Sequence, residues 1–189
     1  WNHDYPRAGV HLEKMLDNLT YLGTNQGVEN VFALDDPELF KYPWAYMCEV
    51  GFWTLTDSEA QGLRDYLLKG GFLVVDDLVL NHLENFKIQM HRVLPDARLI
   101  EIGSNDPFMD DFFHIDPSKY VHPYYPSLRP VYYGIYEDND PGKRMMVLVN
   151  YNNDIGEYWE WSDTDYAPIE LSNEAYKLGI NEVIYGYTH

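Results

Sequence analysis

A chain of 189 residues with ordinary apolar content is long enough to bury a proper core, so a globular fold is expected in place of disorder, most simply one domain over 1–189. Acids outnumber bases 31 to 13, and the net charge of −18 argues against nucleic acid and anionic lipid surfaces as partners. Cations or neutral polar ligands suit such a chain better, although acidity also serves solubility alone.

The one cysteine, Cys48, lies in the apolar run WAYMC beside Glu49. An internal disulfide is impossible, and a buried, inert thiol is expected, because a reactive cysteine needs an electropositive setting. No run reaches membrane-spanning length. The chain opens on WNHDYP without a signal peptide, so a mature or trimmed start is expected.

In chain order, Pro6 suits the start of a helix whose face is Ala8, Leu12, Met15, Leu16 and Leu19. A polar loop follows over Gly23 to Gly27. Val31 to Leu34 reads as a short strand leaving into Asp35–Asp36, and Trp44 to Cys48 as a second strand. Thr56 to Lys69 is the clearest helix: Thr56 and Glu59 have capping-box spacing, and Gly70 fits the left-handed stop. Phe72 to Val75 shows no polar alternation, which predicts a strand covered on both faces. Asn81 to Leu94 is a helix ended by Pro95, and Arg98 to Ile102 a strand. From Gly103 to Pro130 patterning fades, apart from a short helix near Phe108 to Phe113, and so long a loop reads as a functional or covering insertion. Val131 to Tyr136 and Arg144 to Val149 form a hairpin around EDNDPGK, and a last helix starts at Ser172. The fold class is α/β: a three-layer α/β/α sandwich whose sheet is mostly parallel, with an antiparallel hairpin at one edge.

Two expected strands end in Asp-Asp, and a third runs into Asn150, Asn152, Asn153 and Asp154. Parallel strands would bring these exits to one edge, where ligands of open α/β sheets bind. Clustered oxygens there suit Ca²⁺ or Mg²⁺, with Asp36, Asp76 and Asp154 as the metal set. The plainer reading is that these residues cap helices and turns. In NNDIGEYWEWSD, Glu157 beside Trp159 and Trp161 suggests a surface that stacks on sugar rings; the alternative is that both tryptophans close the core. His3 with Asp4 completes the ligand-binding candidates: His3, Asp4, Asp36, Asp76, Asp77, Asn153, Asp154, Glu157, Trp159 and Trp161. No HxxxH pair, GxSxG elbow, P-loop or dinucleotide fingerprint is present, and nothing points to a Ser-His-Asp triad, so no catalytic residue is assigned.

WNHDYPRA, LDDPELFKYPWAYM, LRDYLLKGGFLVVDD, NYNNDIGEYWEWSD and the closing YKLGINEVIYGYTH resemble, over nearly the whole chain, the bacterial family catalogued as domain of unknown function 4159. The resemblance implies a class I glutamine-amidotransferase-like, flavodoxin-like sandwich and a periplasmic or cell-envelope location. It implies no reaction. Two departures stand out. Where true amidotransferases carry a nucleophilic cysteine, GGFLVVDD carries Asp76; and the strand that family members place just ahead of Trp1 is absent, which would leave a sheet position empty, so that either the chain is trimmed or something else pairs there. The resulting expectation is a non-catalytic ligand-binding or assembly module whose partners are envelope proteins or a neutral polar small molecule, with self-association left open. The alternatives are a divalent-metal-dependent hydrolase built on strand-end carboxylates and a carbohydrate-binding surface.

Overall fold

A computed structural model describes residues 4–25 and 30–189; His3 and the end of the expected Gly23–Gly27 loop lie outside the described residues. Among the described residues, five α-helices, α1 (Arg7–Leu19), α2 (Asp57–Leu68), α3 (His82–Val93), α4 (Ile155–Glu160) and α5 (Ile169–Thr188), accompany five strands. The strands are β1 (Trp44–Cys48), β2 (Phe72–Leu78), β3 (Ile100–Glu101), β4 (Val131–Tyr136) and β5 (Met145–Tyr151), in the order β1-β2-β5-β4-β3. The β1–β2 and β2–β5 pairs are parallel; β5–β4 and β4–β3 are antiparallel. The sheet is therefore mixed and not mostly parallel. The physical cause is the short Glu137–Arg144 connection, which can only reverse the chain and so makes β4 antiparallel to β5.

Helices cover both faces. Phe72 and Val74 of β2 pack with α1, α4 and α5, whereas Leu73 and Val75 point to α2 and α3. This two-sided burial explains the unbroken apolar run FLVV. The α2 capping box forms as spaced: Thr56 Oγ1 accepts from the Glu59 N–H, and Glu59 Oε2 accepts from the Thr56 N–H. Gly70 follows with φ +112°.

Three expectations need correction. Val31–Leu34 is not a strand. Phe32 and Leu34 pack on the α2 side of the core, and the Leu34 carbonyl lies so close to Gly62 that a Cβ there would sit 2.3 Å away. The run thus crosses α2 and never reaches the sheet. The helix expected near Phe108–Phe113 is a 3₁₀ turn, Pro107–Asp110, within a stretch that buries Phe108, Met109, Ile115 and Tyr120 against the α5 side. The last helix begins at Ile169, three residues before Ser172.

Candidate functional site

Because β2 and β5 are parallel, their carboxyl ends open on the same edge of the sheet. Val75 pairs with Val149 and Leu78 with Tyr151, so three steps along β2 match two along β5. This bulge inserts one residue, Asp77, which takes a left-handed backbone (φ 49°). Leu80 (φ 50°) and Asn152 (φ 55°) share that unusual conformation nearby. Their neighbourhood is pinned by Asn152 N–H to the Leu78 carbonyl (2.7 Å) and Leu80 N–H to Asn152 Oδ1 (3.1 Å). Strained backbone held this firmly at a strand exit is a mark of functional sites.

Asp76 is fully buried and faces α4. Its Oδ2 accepts three hydrogen bonds: from the Tyr46 hydroxyl (2.6 Å), the Ile155 N–H (2.7 Å) and the Gly156 N–H (2.9 Å). Oδ1 has no hydrogen-bond partner among the described residues. Burial raises this carboxyl's pKa against the pull of the three donors. Asp76 therefore fastens the start of α4 to the sheet. Gly156 is required at that contact, since a Cβ would sit 2.7 Å from the Tyr46 oxygen.

Asp154 caps α4, its Oδ1 accepting from the Glu157 N–H at 3.2 Å. Burial, and then the charges of Asp76, Asp77, Asp4 and Glu157, push its carboxyl well above the usual range. Glu157 accepts a hydrogen bond from the Tyr124 hydroxyl. Asp4, Asp76, Asp154, Glu157 and Glu160 are all buried, so this edge concentrates carboxylates away from water.

The 103–130 stretch adds His122, which is 1% exposed. Its Nδ1 accepts from the Tyr124 N–H at 3.2 Å, which places the ring proton of the neutral imidazole on Nε2. Nε2 has no hydrogen-bond partner among the described residues. Burial lowers the pKa of this histidine to about 4, so the ring is neutral at pH 7. His122 brings one ring nitrogen, and Asp77 and Asp154 one carboxylate oxygen each, to within 4.8 Å of one another. His122 also lines a groove of about 400 Å³ whose walls include Val121, Tyr124, Tyr158, Tyr166 and Pro168.

The structure brings together Asp4, Asp76, Asp77, Asp154 and Glu157 from the sequence-derived candidates. Asp36 does not join them. It caps the Pro37–Lys41 turn, accepting from the Glu38 N–H at 2.9 Å, on the α2 side of the sheet. Asn153 is buried and structural, donating to the Tyr132 hydroxyl (2.9 Å). Trp159 is also a core residue, 1% exposed, with its indole N–H on the Ala175 carbonyl (3.0 Å), so its face is closed to a sugar ring. Trp161 is half-buried beneath the Arg7 guanidinium, 4.7 Å from the ring centre. Sequence reasoning misses His122, Tyr124 and Tyr166, which lie where hydrophobic periodicity is lost. The Asp154-x-x-Glu157 spacing is a helix-start signal, and it places Glu160 one turn further on.

Metal chemistry can be tested on the donor sets. The expected trio Asp36, Asp76 and Asp154 is not assembled, for the reason given. In the Asp77–His122–Asp154 trio, an ion on Nε2 would move the ring proton to Nδ1, against the Tyr124 N–H. That trio suits a hydrogen-bonded ligand better. Asp4, Glu157 and Glu160 also bring oxygens within 4.8 Å of one another, a donor set of the kind Ca²⁺ or Mg²⁺ takes.

Nucleophilic chemistry finds little footing. Cys48 is buried, and burial pushes its thiol up to about 12. Ser162, His11 and Asp163 do come together, with Ser162 Oγ 3.3 Å from His11 Nδ1 and His11 Nε2 3.7 Å from Asp163. Yet Nδ1 lies 2.8 Å from the Trp159 carbonyl and must donate to it. It has no lone pair left for the serine proton, so the three do not work as a triad.

The family model described as domain of unknown function, DUF4159, matches residues 1–187, and the chain belongs to that family. No curated protein matches the chain.

Proposed function

We propose that this member of the DUF4159 family is a non-catalytic ligand-binding domain of the bacterial envelope, taking a neutral polar molecule in the groove beside His122. The observation that carries the reading is the groove itself: about 400 Å³, walled by tyrosines and prolines and lined by a buried imidazole that lies beside the half-buried Asp77 and the buried Asp154. That volume is typical of small-molecule sites. The net charge of −18 and the buried acids disfavour anions. Asp76, committed to three donors where amidotransferases keep a nucleophile, supports a binding role. The envelope location rests on the family resemblance, and the helix-covered sheet is consistent with its flavodoxin-like layering. A thermal-shift screen of neutral polar against anionic small molecules tests the reading. Neutral compounds should raise the melting temperature of the protein and leave Tyr166→Ala unmoved; a screen in which only anions stabilise would refute it.

A second reading, a hydrolase that uses a divalent cation, is favoured by one observation, the convergence of Asp4, Glu157 and Glu160. Melting in EDTA against added Ca²⁺ or Mg²⁺ separates the two. An ion at a hundred times its dissociation constant adds about 2.7 kcal/mol, whereas the ligand-binding reading requires no shift.

A further inference from the structure

The His122 groove has a neighbour. A second pocket, of about 460 Å³, shares Tyr166, Ala167 and Pro168 with it as a common wall, and Ser162, Thr164, Asp165 and Ile169 complete its lining. The turn that presents Asp165 and Tyr166 is pinned from within. Thr164 Oγ1 donates to the Trp161 carbonyl (2.7 Å) and accepts from the Tyr166 N–H (3.1 Å), and Ser162 Oγ donates to the Trp159 carbonyl (2.9 Å). With both hydroxyl protons turned inward and Asp165 able only to accept, these side chains offer the pocket acceptors and one negative charge. The adjoining residues show what such an arrangement holds. Asp163 pairs with the Arg7 guanidinium, which lies 4.7 Å over the centre of the Trp161 ring. Asp165 and the Tyr166 ring, centred 6.2 Å from Trp161, repeat that combination of carboxylate and aromatic face. Asp165 is exposed and has no ion pair among the described residues, and Tyr166 is 42% exposed, so this second combination is open to a cation from outside the chain. A net charge of −18 draws such a partner in.

We infer that the ligand of the groove is a peptide segment that continues over Tyr166 and places an arginine side chain in the second pocket. The inference rests on the ligand-binding reading above and extends it: a neutral polar residue fills the groove, while the guanidinium stacks on Tyr166 and pairs with Asp165. Arginine suits the place better than lysine, because its planar head can lie on a ring and fork onto a carboxylate at once. Adjoining recesses, one neutral and one acidic, are filled by neighbouring side chains of an extended peptide.

Isothermal titration of the full chain with capped dipeptides tests the inference: acetyl-Asn-Arg-amide, acetyl-Arg-Asn-amide, and a twin of each with citrulline, the uncharged isostere, in place of arginine. At least one arginine peptide should bind at one site per chain, about tenfold more tightly than its citrulline twin, a few-fold each from the ring face and the exposed ion pair. Asp165→Asn should cut that preference to a few-fold, and Tyr166→Ala should weaken both twins. Asp36→Asn, an equal change of charge on the α2 side, should leave the preference intact. Unaltered melting of Asp165→Asn and Tyr166→Ala, both at exposed residues, would show that the loss is not unfolding. If the twins bind equally, the arginine assignment is overturned and the ligand-binding reading stands. A preference that survives Asp165→Asn, or that falls as far in Asp36→Asn, also overturns it. If no peptide binds while neutral compounds stabilise the protein, the inference falls alone; if neither binds, both fall.

Discussion

Glu182 is fully buried on α5, where the Asn150 amide of β5 donates to its Oε1 at 3.0 Å. Oε2 and Asn150 Oδ1 have no hydrogen-bond partner among the described residues. Tyr120, Tyr132 and Asp76 face the same carboxyl. Burial raises its pKa well above the ordinary range; Asn150 opposes the rise and Asp76 adds to it. A carboxyl raised in the native state stabilises that state below its unfolded pKa, about 4.3, and the contribution is lost as pH rises through the folded value. Glu182→Gln, which copies the protonated shape, should therefore match the parent near pH 5 and exceed it near pH 8 by roughly 1–3 kcal/mol, the cost of an unsatisfied buried polar group. Urea unfolding at the two pH values checks this; a difference that does not grow with pH would place the proton elsewhere. Nothing in NEVIYGY announces Glu182 as buried. A charged residue off the apolar stripe reads as solvent-facing, and α5 departs from that rule because the 103–130 stretch covers its other side, with Asn181 donating to the Phe108 and Phe113 carbonyls.

At the level of elements, α4 is the piece on which the site depends and the one the sequence conceals. Its six residues are too few for propensity to speak, and every one is buried, so no amphipathic period survives. What holds it is tertiary: Asp76 from below, Asp154 at the cap, and Trp159 wedged against Gly179, where a Cβ would come within 2.5 Å of the indole. Gly156→Ala should force α4 away from Tyr46 and Asp4, an overpacking cost of about 1–3 kcal/mol, measured by thermal melting. Trp159→Ala should cost about 3–5 kcal/mol, because the cavity it leaves lies inside a closed core. By contrast α2 and β2 were legible, since a capping box and an unbroken apolar run are local signals. Val31–Leu34 was not: a four-residue apolar run reads alike whether it pairs in a sheet or lies across a helix.

On the scale of the whole molecule, topology gathers charge that the sequence spreads out. Asp76 and Asp154 meet because two parallel strands end together, and strand direction is not written in either strand. The exits were legible as acidic; which of them converge was not, because Asp35–Asp36 follows a segment outside the sheet. The convergence adds local repulsion to a net charge of −18, and both oppose the compact state. Screening should relieve part of it. The Debye length falls from tens of ångströms at about 10 mM salt to roughly 10 Å at about 0.1 M. Raising NaCl through that range should stabilise the fold on the order of 1 kcal/mol, or ~2–4 °C in Tm for a chain of this size. Sodium sulfate at equal ionic strength separates screening from exclusion: screening predicts matching gains, whereas a gain in sulfate alone would reflect strengthened apolar burial. Asp77→Asn removes one of the charges that act on Asp154 while keeping a residue that tolerates the left-handed backbone. If the strand-exit acids carry much of the repulsion, that variant should melt higher at low salt and respond less to NaCl. An unchanged response would assign the repulsion to the exposed acids.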